Sequence, residues 1–195
     1  MLNIFLNTGQ PPLKPELLSL RKGSYLFHQG DQVASFFYVK TGKIKLTRNT
    51  IEGAQALIYV ALPDETVAEA SLFANEYHCS AIADAKSEII RYKKTDFLHY
   101  LEQNPAAMKD VLKVFARQVR DLRAINEMKN IHSAKERILA FIKHVMNEHR
   151  EVHLKMTLKD VAYKIGLAHE TFYRELKNLE KAKVLIRKER YLKLL

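Results

Sequence analysis

The chain has 195 residues and a net charge of +10, enough length for two small domains that each bury a core. No apolar run is long enough to span a bilayer, and MLNIFLNT has neither the basic start nor the cleavage site of a signal peptide. A soluble cytoplasmic protein is expected, and the lone Cys79 excludes both an intramolecular disulfide and an iron–sulfur cluster held by cysteines of this chain alone.

Short apolar segments with glycine punctuation fill the first half: SYLFHQGD, SFFYVKTGKIKLT, a turn near Glu52-Gly53, QALIYVAL, then SAIADA and EIIRYK separated by Lys86-Ser87. This pattern predicts a run of hairpins closed into a small antiparallel barrel or roll over residues 1–104. From Asn104-Pro105 onward the apolar period becomes helical. Met108, Val111, Phe115, Leu122 and Ile125 recur within a segment, Pro105 to Asn130, that has no interior Gly or Pro. Such a helix is long enough to pair with a copy of itself, which makes 105–130 a dimerisation helix and these five residues its interface. The alternative is a stripe that packs only on the roll.

A further helix, from about Ser133 to Asn147, opens the last segment, 131–195. Thr157 followed by Asp160 resembles a capping box, so a helix is predicted to start at about Leu158. Val161, Ala162 and Ile165 share its inner face, and Gly166 stands where the chain must turn sharply. A second helix follows from about His169. Phe172, Leu176 and Leu179 form its buried stripe, while Glu170, Tyr173, Arg174 and Lys177 share the opposite face. Arg can donate two parallel hydrogen bonds to guanine and Glu can accept from cytosine N4 in a major groove, so this pair of helices reads as a DNA-binding helix-turn-helix. A hairpin whose charged face is merely wet is the plainer alternative. Ala168 offers no side-chain cap, so the second helix is expected to fray at its start. Val184–Ile186 with Tyr191–Leu195 predict a two-stranded wing.

Charge points the same way. Residues 1–104 hold 11 Lys/Arg against 11 Asp/Glu, and residues 105–195 hold 21 against 11. All the excess lies in the half that would have to neutralise phosphates. An anionic membrane surface is a poorer match, because no polybasic run adjoins an amphipathic anchor. No Gly-rich phosphate loop, nucleophile elbow or HExxH motif suggests an enzyme. His149 and His153 could share a metal if helical, but no third ligand is evident and solvated histidines are expected. Cys79 beside His78 reads as a small core filler rather than a reactive thiol.

The order of parts, with KGSYLFHQGD, FFYVKTGKIKL, TVAEASLF followed by SAIA, and GLAHETFYRELKNLEKAKVL, resembles the CRP/FNR family of bacterial transcription factors over nearly the whole chain. The resemblance implies an α+β fold: a cyclic-nucleotide-binding-like antiparallel β-roll, a long dimerisation helix and a C-terminal winged helix-turn-helix. It implies a homodimer on double-stranded DNA, reading an inverted repeat, with RNA polymerase as a further partner. Glu170, Thr171 and Arg174 match the recognition pattern. Glu170 and Arg174 would read the G·C pair of a TGA-type half-site, with His169 and Tyr173 adjusting preference and Lys177 on the same face. The rival reading is a ligand-binding regulatory module that docks on another protein.

For the effector, relatives that bind cyclic AMP carry Gly-Glu for the ribose and Arg-Ser or Arg-Thr for the phosphate. Here Ala68-Glu69 and Cys79-Ser80 stand instead, with Ala70 beside them, so Glu69, Ala70, Cys79 and Ser80 are the candidate pocket and cyclic AMP is expected to bind weakly or not at all. TVAEASLF with ETFYR is similar to the subgroup that regulates dissimilatory nitrate respiration and senses nitric oxide through haem. His28, His78 and Cys79 are the candidate axial ligands, none fixed by a motif. A roll that holds no ligand is the third possibility. Lys14–Leu20 is expected as a remnant of the family's N-terminal helix, too short to bring a sensory ligand.

Overall fold

The structure is a computed structural model that describes residues 13–50, 53 and 55–195; the MLNIFLNT segment and Glu52 lie outside them. By contact density it divides into two compact units, with the cut between Val114 and Phe115.

The first unit is the expected roll. Its strands are Glu16–Leu20 (β1), Tyr25–Phe27 (β2), Ser35–Thr41 (β3), Ile44–Asn49 (β4), Gln55–Ala61 (β5), Thr66–Val67 (β6), Ser80–Ala83 (β7) and Ser87–Lys93 (β8). They form two four-stranded antiparallel sheets, ordered β1-β8-β3-β6 and β2-β7-β4-β5. Phe27, Phe37, Val39, Ile44, Val67 and Ile89 fill the space they enclose. The β3–β4 hairpin needs Gly42: its φ is +91°, and a Cβ there would stand 2.2 Å from the Ser87 hydroxyl oxygen.

Strand β3 is buried at five successive residues, Ser35–Val39, because both of its faces are covered. Phe37 and Val39 face the interior, while the Phe36 ring lies 4.2 Å from that of Phe97 on a helix, Lys94–Gln103 (α1). The sequence pattern did not reveal α1, whose buried residues Phe97, Tyr100 and Leu101 are too few to stand out beside the long helix that follows. The two-residue β6 was equally silent.

The helical remnant expected at Lys14–Leu20 is a strand. Leu18 and Leu20 pack on the roll core while Leu17 stays half exposed, which is the period-two alternation of β1 against the otherwise open edge of β8. Arg91 pairs with Glu16 across that edge.

Pro105–Lys129 (α2) is the long helix, ending one residue before the expected Asn130. Ala134–Val145 (α3) follows, capped by Ser133, whose Oγ accepts the Glu136 amide at 3.3 Å. It stops before Asn147, whose Oδ1 instead accepts the His149 and Glu151 amides and turns the chain. Glu151–His153 (β9), Leu158–Lys164 (α4), His169–Lys181 (α5), Leu185–Lys188 (β10) and Tyr191–Leu194 (β11) complete the second unit. Its wing is three-stranded, in the order β10-β11-β9, and not the expected two-stranded hairpin. Val152 and Leu154 drive this by burying alternate side chains beside Leu192. His153 therefore sits in a strand and does not share a helix face with His149. Among the described residues no three His, Cys, Asp or Glu side chains gather as metal ligands. No helix among them is long and apolar enough to cross a membrane.

Candidate nucleic-acid interface and effector pocket

The helix-turn-helix is built as its residues dictate. The Thr157 hydroxyl accepts the Asp160 amide at 3.2 Å, and the Asp160 carboxylate accepts the Thr157 amide at 3.1 Å, closing the capping box that starts α4. Gly166 then takes φ +69°, and the Leu167 amide donates back to the Ala162 carbonyl at 2.9 Å. On α5, Phe172, Leu176 and Leu179 are at most 1% exposed and pack with Ile138, Phe141, Ile142, Val161 and Ile165. Ala168 makes no side-chain cap, as expected, and the first turn rests on the backbone bond from Phe172 to Ala168.

The opposite face of α5 holds the residues expected from the sequence to read DNA. His169, Glu170, Arg174 and Lys177 are exposed, and Thr171 and Tyr173 are half-buried. Arg174 lies along the helix with Nε 3.3 Å from the Glu175 carboxylate, an exposed pair that a base edge can displace. Tyr173 is less free. Its ring stands 4.4 Å from that of His169, and the Arg187 guanidinium lies 6.0 Å from its centre. Arg187, on β10, also grips Glu180 of α5 with two charge-assisted bonds of 3.0 and 3.2 Å, fixing the recognition helix to the wing. Single-sequence patterning missed Arg187, because only the wing fold brings it to α5.

On α2 the expected interface separates into two faces. Val111 and Ile125 are 6% and 8% exposed, so they are turned inward and corrected out of the stripe open to a partner. Met108, Leu112, Val119 and Leu122 are 39%, 61%, 45% and 61% exposed. With the half-buried Phe115, they recur at alternating steps of four and three, the spacing of a coiled-coil seam. Leu112 and Val119 are the residues that the earlier stripe lacked.

In the roll, the stretch after β6 brings the pocket candidates together. Ala68 holds a left-handed backbone, φ +73°, and leads into a short 3-10 turn, Glu69–Ser71. One Glu69 carboxylate oxygen is buried without a hydrogen-bond partner, and burial pushes that carboxyl above its ordinary range against the pull of its own amide and the Thr66 hydroxyl. Burial likewise raises the Cys79 thiol, with the Arg48 charge opposing and the Glu69 charge adding. Cys79 is therefore a protonated core residue, as its sequence setting suggested. Ser80 Oγ accepts the Gln29 amide at 2.9 Å, and Ala70 is exposed. Arg48, which sequence reasoning missed, places a cation beside this stretch by donating from Nε to the His78 carbonyl at 3.1 Å.

A cyclic nucleotide-binding domain model matches residues 17–104. The transcriptional activator protein Anr of Pseudomonas aeruginosa is 28% identical over 80% of this chain and 66% of its own length, so the chain spans just under two thirds of that relative. The structure of FixK2 from Bradyrhizobium japonicum aligns with a TM-score of 0.71 at 18% identity, covering 93% of both chains, which shows the shared fold. That of DNR from Pseudomonas aeruginosa aligns at 26% identity and a TM-score of 0.52, over 93% of this chain and 83% of DNR. The chain is similar to transcription regulators of the CRP/FNR type, and its residues 17–104 match a cyclic nucleotide-binding domain.

Against the CRP/FNR pattern, the roll keeps the backbone of a Gly-Glu pair and changes its chemistry. Ala68 adopts the left-handed conformation that glycine takes without strain. Cys79 stands where nucleotide-binding members have their phosphate arginine, and the nearby Arg48 donates from Nε to the His78 carbonyl. Cys79 supplies no cation for a cyclic phosphate. Of the haem ligand candidates, the His28 ring stacks 4.1 Å from Tyr25, His78 Nδ1 is 2.7 Å from the Ser71 hydroxyl, and burial raises the Cys79 thiol.

Proposed function

We propose that this chain is a homodimeric, sequence-specific DNA-binding transcription regulator that acts in the cytoplasm with RNA polymerase. The observation that carries the reading is the division of α5. One face, Phe172, Leu176 and Leu179, is sealed in the core, while Glu170, Arg174 and Lys177 point outward from a rigid helix. The half of the chain that contains it holds the whole net charge. An outward Arg and Glu one turn apart supply the donor fork for guanine O6/N7 and the acceptor for cytosine N4 of one G·C pair. The TGA-type half-site and the inverted repeat follow from family resemblance and from two-fold pairing along the exposed α2 seam. Thr171, His169 and Tyr173 border the same face, and the Arg187 contact makes Tyr173 the more fixed of them.

The effector reading is that the roll works without cyclic AMP. Support comes from Cys79 in place of the phosphate cation and from the desolvated Glu69 carboxyl. The likeness to DNR agrees with a place in the nitrate-respiration subgroup, whether the roll is ligand-free or loaded by another molecule. The test of the DNA reading is Arg174→Ala on duplexes that differ only at the G·C pair of each half-site. Discrimination falls by about 1–3 kcal/mol if Arg174 reads the guanine. An unchanged preference contradicts the assignment.

A further inference from the structure

Arg137 lies in the first turn of α3, away from the outward face of α5, yet its guanidinium meets three main-chain carbonyls from two separate places in the second unit. Nε donates to the Ile131 carbonyl at 2.9 Å, in the segment that follows α2, and Nη2 donates to the same oxygen. Nη1 donates to Ile165 at 3.3 Å and to Gly166 at 3.0 Å, in the turn between α4 and α5. Both places are helix C-terminal ends, where carbonyls lack intrahelical partners and the dipole is negative. Brought together without a cation, they would repel. The planar fork of an arginine spans both, which the point charge of a lysine does not.

We propose that Arg137 is a positioning residue for DNA reading: it straps the helix-turn-helix turn to the end of the long helix and so sets the direction from which α5 meets the groove. The inference rests on the DNA-binding reading above. A second contact agrees with it, since the Lys129 side chain comes within 3.4 Å of where a Cβ on Gly166 would stand, so the end of α2 and the turn already touch. Arg137 is half-buried and lies on α3, not on the outward face of α5.

The test uses the full chain with Arg137→Gln and Arg137→Lys, in two measurements. The first is amide hydrogen exchange without DNA. The strap predicts that the amides of Ile131, Gly166 and Leu167 exchange about tenfold faster together in both variants, while those in the middle of α5 keep their protection. The second is the affinity for a duplex carrying an inverted TTGA-type repeat against a scrambled duplex. The ratio of the two falls by about tenfold with scrambled-duplex affinity unchanged, because phosphate contacts survive a tilt that base contacts do not. Unchanged exchange, or full recovery of both readouts by Lys, overturns the proposal. Should Gln fail to fold, the Lys variant decides. If the wild-type chain does not discriminate between the duplexes, the DNA reading itself fails, and the exchange result still says whether the strap exists.

Discussion

In the helix-turn-helix, nearly every residue that needs a special backbone or a cap is of the type that supplies it, whereas in the Val67–Ser80 stretch of the roll two are not. Gly166 takes a positive φ and is a glycine; Thr157 and Asp160 cap each other. Ala68 takes a positive φ and carries a side chain, and Glu69 buries a carboxylate oxygen that nothing satisfies. In the second unit Ala168 leaves the start of α5 uncapped, and Arg150, Lys183 and Glu189 take positive φ outside the α4–turn–α5 segment. Local rules are broken where a site once needed, or still needs, a geometry that stability alone would not select. The contrast is between an α4–turn–α5 segment whose special backbone position carries a glycine and a roll segment that keeps a strained Ala68 and an unsatisfied Glu69 oxygen.

Phe172→Ala leaves a cavity under the recognition helix and costs about 3–5 kcal/mol, read from denaturant unfolding followed by a probe in the second unit. A loss under about 1 kcal/mol would mean that α5 is not anchored there. Next come two substitutions of opposite sign. Gly166→Ala forces a side chain into the left-handed region beside Lys129 and destabilises by about 1–2 kcal/mol, whereas Ala68→Gly relieves the same strain and stabilises by up to about 1 kcal/mol. If both lower the melting temperature, the contrast between the two regions is not one of backbone strain.

The smallest expected effect sharpens the roll alone. Burial holds the Glu69 carboxyl above its ordinary 4.5, so the folded state binds that proton more tightly than the unfolded chain does. Its contribution is full below about pH 4.5 and is lost as pH rises through the folded value. Glu69→Gln, which cannot ionise, should therefore gain stability over the wild type as pH rises towards neutrality and match it in acid. Thermal melts across that range check the sign, and a gain confined to acid would place Glu69 in a salt bridge instead.

Much of the fold was legible because local signals were strong and agreed. Hairpin punctuation located β3, β4, β5, β7 and β8, and the capping box with Gly166 located the starts of α4 and α5. What stayed hidden depends on partners distant in sequence. Strand β1 exists because β8 offers an edge, and β9 because β11 does. A 3–4 period on α2 does not say which of its apolar rows faces inward; Val111 and Ile125 share the period of Met108 and Leu122 but are buried where those are exposed. The arginines that organise the candidate sites, Arg48, Arg137 and Arg187, belong to no motif, because each acts through carbonyls or carboxylates that only the fold delivers.

The most direct test of the central claim is titration of a labelled duplex carrying an inverted TTGA-type repeat with the purified chain at low and moderate salt, without nucleotide. The account predicts specific binding of two chains per duplex, tighter than to a scrambled duplex, with affinity falling steeply between the two salt concentrations as counterions are released. Equal affinity for both duplexes, or affinity that does not depend on salt, would contradict it.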